Sequence, residues 1–253
     1  MYTVVILGTG NLAEHLCNAF STLDEATIVQ VYGRNPEKLK KFNTYSDTCT
    51  DPTQIKNADV YIIAVKDDAI VPVSKLLLDK KGIVAHTSGA IGMESIQPKN
   101  KGVFYPLQTF TKGKPIDFKT IPICIEAKER ASLKILHDLA GLVSDMVYKT
   151  TSEQREKLHL AAVFANNFTN YLYSVSETIC VKEELPFSLL HPLIMETAKK
   201  LKSLSPREAQ TGPARRGDQK SMEKHLSLLK NKKQTELYAQ LSEAIKKMYE
   251  KEL

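Results

Sequence analysis

The apolar run Val4-Val5-Ile6-Leu7 passes directly into Gly8-Thr9-Gly10-Asn11-Leu12-Ala13, after which Leu12, Leu16 and Phe20 recur at helical spacing. A strand that turns into a helix through G-x-G-x-x-A leaves few folds open. Gly8 permits the tight turn, Gly10 leaves the backbone open to a close approach, and Ala13 lets the helix pack tightly on the strand. The free N–H groups at the helix start and the helix dipole then favour an anion. Gly8, Thr9, Gly10, Asn11, Leu12 and Ala13 are therefore expected to hold the pyrophosphate of a dinucleotide.

Up to about Thr150 the pattern alternates short apolar runs with amphipathic stretches, which predicts βαβ units and a mostly parallel sheet. Strands are expected over 3–7, 27–32, 60–65, 82–86, 102–105, 121–126 and 145–148. Asp51-Pro52 reads as a cap followed by proline at a first helical position, and 67–79 as a crossover helix. From residue 151 no strand pattern appears. Four helical segments follow, near 152–181, 187–203, 218–231 and 234–250. The expected organisation is a dinucleotide-binding domain over 1–150 and an all-α substrate and dimerisation domain over 151–253. Leu158 to Tyr173 is apolar nearly all round, which predicts burial in a bundle or a subunit interface.

The end of the second strand selects the cofactor, because enzymes for NAD usually carry a carboxylate there for the ribose 2′-hydroxyl. Here it reads Val31-Tyr32-Gly33-Arg34-Asn35. With no carboxylate, Arg34 and Asn35 suit a 2′-phosphate, so NADP is expected over NAD. The other reading of Arg34 is a solvated loop arginine. At the next strand ends, Val65 and Lys66 are expected to line the cofactor, and Asp68 either joins them or caps a helix.

His86-Thr87-Ser88-Gly89-Ala90 and Tyr105-Pro106-Leu107-Gln108-Thr109-Phe110 follow later strands at the edge where open α/β sheets bind ligands. His86, Ser88, Gly89, Tyr105 and Gln108 are substrate-binding candidates, although His86 also suits a buried backbone partner. On the apolar helix, His159 and Asn166 lie seven residues apart, hence on one face of a regular α-helix. They read either as a catalytic stripe, alongside Ser88, in which His159 moves the proton that accompanies hydride transfer, or as a polar seam between helices. In Thr211-Gly212-Pro213-Ala214-Arg215-Arg216-Gly217-Asp218, Arg215 or Arg216 is a candidate clamp for a carboxylate or phosphate, and Asp218 an N-cap.

Composition narrows the classes. The net charge of +6 is spread over both halves, and the cluster Lys230 to Lys233 reads as a solvated helix end, so no nucleic-acid role is expected. The four cysteines stand singly, which predicts no metal site and a reducing, cytoplasmic setting. No apolar run approaches membrane-spanning length. No G-x-S-x-G elbow occurs, which disfavours hydrolase chemistry.

Taken in order, GTGNLAEHL, HTSGA, YPLQTF, AVFANNFTN and TGPARRGD resemble the Rossmann-like proteins whose C-terminal half is domain of unknown function 2520. The family is similar, at a distance, to pyrroline-5-carboxylate reductase and to 6-phosphogluconate and β-hydroxyacid dehydrogenases. The resemblance implies an α/β Rossmann-like N-terminal domain with a mostly parallel sheet followed by an all-α C-terminal domain, an NADP-dependent oxidoreductase activity on a small carbonyl, imine or hydroxyacid, and a homodimer through the helical domain. Two departures limit the transfer. Many relatives carry histidine where this chain has Tyr105, and the lysine and asparagine of β-hydroxyacid dehydrogenases are replaced by His159 and Val163. An NADP(H)-binding dimer acting as a sensor or scaffold is the alternative expectation.

Overall fold

A computed structural model describes residues 1–250 and divides the chain into two compact units, Met1–Phe164 and a second from Ala165 onward. The first unit contains β1 (Tyr2–Leu7), α1 (Asn11–Phe20), β2 (Ala26–Tyr32), α2 (Pro36–Leu39), β3 (Asp47–Cys49), β4 (Val60–Ile63), α3 (Asp67–Ser74), β5 (Ile83–His86), β6 (Lys101–Pro106), β7 (Ile123–Ala127), α4 (Arg130–Val143), β8 (Val147–Lys149) and α5 (Ser152–Ala162). The strands form one sheet in the order β3-β2-β1-β4-β5-β6-β7-β8, parallel throughout except at the β6–β7 pair.

Alternation along the strands builds two core layers. Val4 and Ile6 of β1 pack with Leu16 and Phe20 of α1 and Leu136 and Leu139 of α4. Val5 and Leu7 face the other way, toward Ile70 of α3. Burial on both faces is what the near-continuous apolar runs imply.

Three local features depart from expectation. β3 was not legible, because Asp-Thr-Cys is short, polar and confined to the sheet edge. Asp51 caps through its side chain as foreseen, yet only one 3-10 turn follows, over Pro52–Gln54. The helix at 67–79 stops at Ser74 and finishes as a 3-10 turn, with Pro72 inside it removing one backbone donor.

A π-helical turn, Val163–Phe168, spans the division between the units and is followed by α6 (Thr169–Lys182), α7 (His191–Lys200), α8 (Pro206–Ala209), α9 (Gln219–Leu228) and α10 (Lys232–Tyr249). Asp218 accepts from the Ser221 N–H at 3.1 Å, as its N-cap reading requires. The wider turn breaks the 3.6-residue phase on which a shared face for His159 and Asn166 rested. The single chain does not bury the apolar helix either: Leu160, Phe164, Phe168 and Tyr171 are half or more exposed. No helix among the described residues is long and apolar enough to cross a membrane.

Candidate functional site

The strand order reverses between β1 and β4, the point where open α/β sheets hold ligands beyond their carboxyl ends. Gly8 ends β1 there with φ +138°, and a Cβ on it would lie 2.1 Å from the Ala64 backbone oxygen, so only glycine fits. Gly10 differs. It caps α1 without a side-chain bond, and a Cβ on it would meet nothing within 4 Å. Its backbone faces open space at a helix N-terminus, the cradle that a pyrophosphate fits. Gly33, which motif reading passed over, presses on this turn: a Cβ there would lie 2.5 Å from Thr9 Cγ2.

Above the turn lies an open cavity of about 1020 Å³ lined by Gly8, Thr9, Gly10, Asn11, Leu12, Arg34, Asn35, Val65, Lys66 and Asp68. Ala13 lies fully buried beneath it, as a residue that seats helix on strand should. Asp68 sits in the first turn of α3 and makes no cap; Lys66 occupies the N-cap position. Asn35 Oδ1 is committed to capping α2, where it accepts from the Lys38 N–H at 3.1 Å, which leaves only its amide nitrogen for a ligand. Lys38 also lines the cavity and was missed. Its signal was the spacing of four residues from Arg34. Lys40 pairs with Glu37 and Lys41 with Glu14, whereas neither Arg34 nor Lys38 forms an ion pair among the described residues. A separate groove of about 600 Å³, lined in part by His15, Lys114 and Lys119, shares no residue with this cavity.

Beyond β5 and β6 the same sheet edge carries the polar loops. His86 is fully buried, and its Nδ1 accepts from the Ser88 N–H at 3.2 Å while Nε2 meets no hydrogen-bond partner of normal geometry among the described residues. Burial, with the Arg155 charge adding to it, pushes its pKa down to about 3. A buried, neutral His86 thus serves its own loop's backbone. Ser88 is buried as well; its Oγ accepts from the N–H groups of Ala90 and Ile91 at 3.0 and 3.1 Å, so its lone pairs hold the turn. Gly89 backs onto His159, where a Cβ would fall 2.6 Å from Nδ1. Tyr105 Oη lies 3.0 Å from the same Nδ1, with the rings edge to face. Gln108 is exposed and accepts from the Thr109 N–H, and Asn11 Nδ2 donates to the Phe110 oxygen at 2.9 Å, tying this loop to the phosphate turn.

The residue that organises the edge was not anticipated. Arg155 is fully buried; its Nε donates to Ser88 O at 3.1 Å, its Nη2 to Ile91 O at 2.6 Å, and its Nη1 pairs with Glu126. Ser152 Oγ reaches the same carboxylate at 2.9 Å and accepts from the Met93 N–H at 2.9 Å. Ser152, Arg155 and His159 stand at i, i+3 and i+7 and thus share one face of α5.

In the second unit, Arg215 donates to the Glu208 and Gln210 oxygens and stacks on the Tyr249 ring at 5.1 Å. These contacts engage its guanidinium within its own unit. Arg216 is exposed, and Asn166 lies exposed in the π turn. No group of three His, Cys, Asp or Glu suited to a metal occurs among the described residues.

Residues 3–89 match the family model described as NADP oxidoreductase coenzyme F420-dependent, and residues 121–245 match domain of unknown function 2520. A candidate NADP oxidoreductase of Bacteroides fragilis is similar in structure at 38% identity, with 97% of this chain and 98% of that one covered and a TM-score of 0.89. A Thermotoga maritima protein shares 23% identity over 98% and 99% of the chains, with a TM-score of 0.76. A pyrroline-5-carboxylate reductase of Streptococcus pyogenes, at 15% identity over 99% and 97%, has a TM-score of 0.67. No curated protein matches the chain.

Proposed function

Since this chain belongs to the NADP oxidoreductase family whose C-terminal half is domain of unknown function 2520, we propose that it is an NADPH-selective reductase of a small carbonyl or imine. The observation that carries the reading is one cavity lined both by the open cradle at Gly10, at the uncapped N-terminus of α1, and by Arg34 and Lys38, cations with no ion pair among the described residues. The first suits a pyrophosphate and the second a 2′-phosphate. No carboxylate occurs from Val31 to Asn35 to favour NAD.

When bound, the dinucleotide supplies a hydride. The chain's own part is to bind and orient it through Gly8 to Leu12, Val65 and Lys66, with Ala13 seating the helix beneath them, and to offer a donor to the substrate heteroatom. His159 is that donor in this reading, because its Nε2 makes no hydrogen bond among the described residues while its Nδ1 is held by Tyr105. Gly89 and the 105–109 loop border the same edge.

The reading includes a homodimer through the second unit. Leu185, Leu189, Leu193, Met195 and Leu201 are each half or more exposed, while Ala214, Met222 and Tyr249 are its buried hydrophobic residues among those described. A unit with that little core and that much exposed leucine is covered by a second copy of itself.

The test is a titration of nucleotide-free protein with NADPH and with NADH, read by nicotinamide fluorescence, followed by a panel of ketoacids and cyclic imines. Selective NADPH binding with oxidation by a panel member is expected. Binding of neither nucleotide, or NADPH held and never oxidised, overturns the reductase reading.

A further inference from the structure

Tyr105 ends a buried strand, and its phenol reaches one group across 54 residues of chain, His159 Nδ1 at 3.0 Å. The ring is 8% exposed, and burial pushes the phenol pKa up to about 12, so its proton stays on oxygen at any working pH. No other hydrogen bond to Tyr105 Oη occurs among the described residues. An O–H so little exposed, with one hydrogen-bonding neighbour among the described residues, donates to that neighbour. The Nδ1 atom must therefore accept, which puts the proton of a neutral His159 on Nε2.

The rest of the surroundings agree. Gly89 walls the Nδ1 and Cγ side of the imidazole so closely that a Cβ would stand 2.6 and 2.7 Å from those atoms. Gly89 is held there because Arg155 binds the backbone oxygens on either side of it, Ser88 O and Ile91 O. The ring is thus fixed by a phenol, a bare backbone and a buried guanidinium. Its Nε2 is the nitrogen left for a ligand.

We propose that Tyr105 is a positioning residue that locks His159 as a neutral Nε2–H donor aimed at the heteroatom of a carbonyl or imine undergoing reduction. This rests on the reductase reading for its purpose and not for its geometry. The arrangement polarises the substrate double bond by a hydrogen bond; the hydride comes from the bound dinucleotide and the proton that completes the reduction from water, so the imidazole keeps its own proton and no charged imidazolium is needed beside Arg155.

The test is nitrogen NMR of histidine-labelled, nucleotide-free protein above the imidazole titration range, with the His159 resonances assigned by their loss in H159Q. Expected are a protonated Nε2 and an Nδ1 shifted as an unprotonated hydrogen-bond acceptor. Y105F should return Nδ1 to the position of a free, unprotonated nitrogen while circular dichroism stays native. G89A, which pushes the ring and spares the phenol, should disturb the same signal. A protonated Nδ1 in the parent, or an Nδ1 unmoved by Y105F, overturns the proposal. If the substrate panel fails while these shifts appear, the reductase reading falls and the locked tautomer stands. With a substrate in hand, Y105F should lower kcat about tenfold or more and leave KM nearly unchanged.

Discussion

Arg155 Nε donates to the backbone oxygen of Ser88 at 3.1 Å, across 67 residues of chain, from a guanidinium with no exposure to solvent. One side chain thereby joins the start of α5 to the loop after β5 and, through Glu126, to β7. Arg155→Ala leaves a largely buried carboxylate and two backbone oxygens without donors. We expect a loss of about 3–5 kcal/mol in denaturant unfolding. The double variant R155M/E126Q should lose clearly less than the sum of its two single changes, because no unpaired charge remains.

Gly8 and Gly10 should separate folding from binding. Gly8→Ala puts a methyl into the Ala64 backbone at a φ of +138° and should destabilise by several kcal/mol. Gly10→Val meets open space at an extended φ of −80°, so its unfolding free energy should stay within about 1 kcal/mol of the parent. Its dinucleotide affinity should nevertheless collapse in fluorescence titration, since the valine occupies the cradle.

Arg34→Ala and Lys38→Ala should each weaken NADPH about tenfold or more and change NADH by less than twofold, as expected for removing one charged donor to a phosphate. The double variant should bind the two nucleotides about equally. Loss of both affinities in parallel would point to a damaged cavity instead of a lost phosphate contact.

His86 makes stability depend on acid. Its folded pKa is held near 3, below the ordinary 6.5, by burial and then by Arg155. Between those values the unfolded chain binds the extra proton, so stability falls as pH drops through 6.5 and the loss levels off below about 3. From pH 7 to 4.5 the contribution is about 2–3 kcal/mol. Urea unfolding of His86→Gln at the two pH values should show that much less acid sensitivity than the parent.

The second unit should bring two chains together. Sedimentation is expected to give twice the chain mass, and Leu189→Glu with Leu193→Glu, at side chains 63% and 62% exposed in the single chain, should give monomers. A parent that sediments as a monomer at micromolar concentration would remove the dimer from the proposed function.

What the sequence by itself determined was local. A strand, a glycine turn and a helix start follow one another between Tyr2 and Phe20, so the open turn and its place at the sheet edge are written in consecutive residues. The same holds for Asp218 as a cap. What only the tertiary structure decided depended on partners far away in the chain. Nothing in Ser152-Glu153-Gln154-Arg155-Glu156-Lys157 marks Arg155 off from its charged neighbours, and it is buried because Glu126 and the carbonyls after β5 converge on it. His86 and Ser88 look like ligand groups in sequence, and only the fold decides that both are buried and bonded to their own loop's backbone. His159 gained its neighbours Tyr105 and Gly89 from two other strand ends, while the π turn over 163–168 removed the phase that linked it to Asn166. Short-range geometry is set by neighbouring residues, whereas the burial of a charge or the tautomer of an imidazole is set by whatever the fold brings against it.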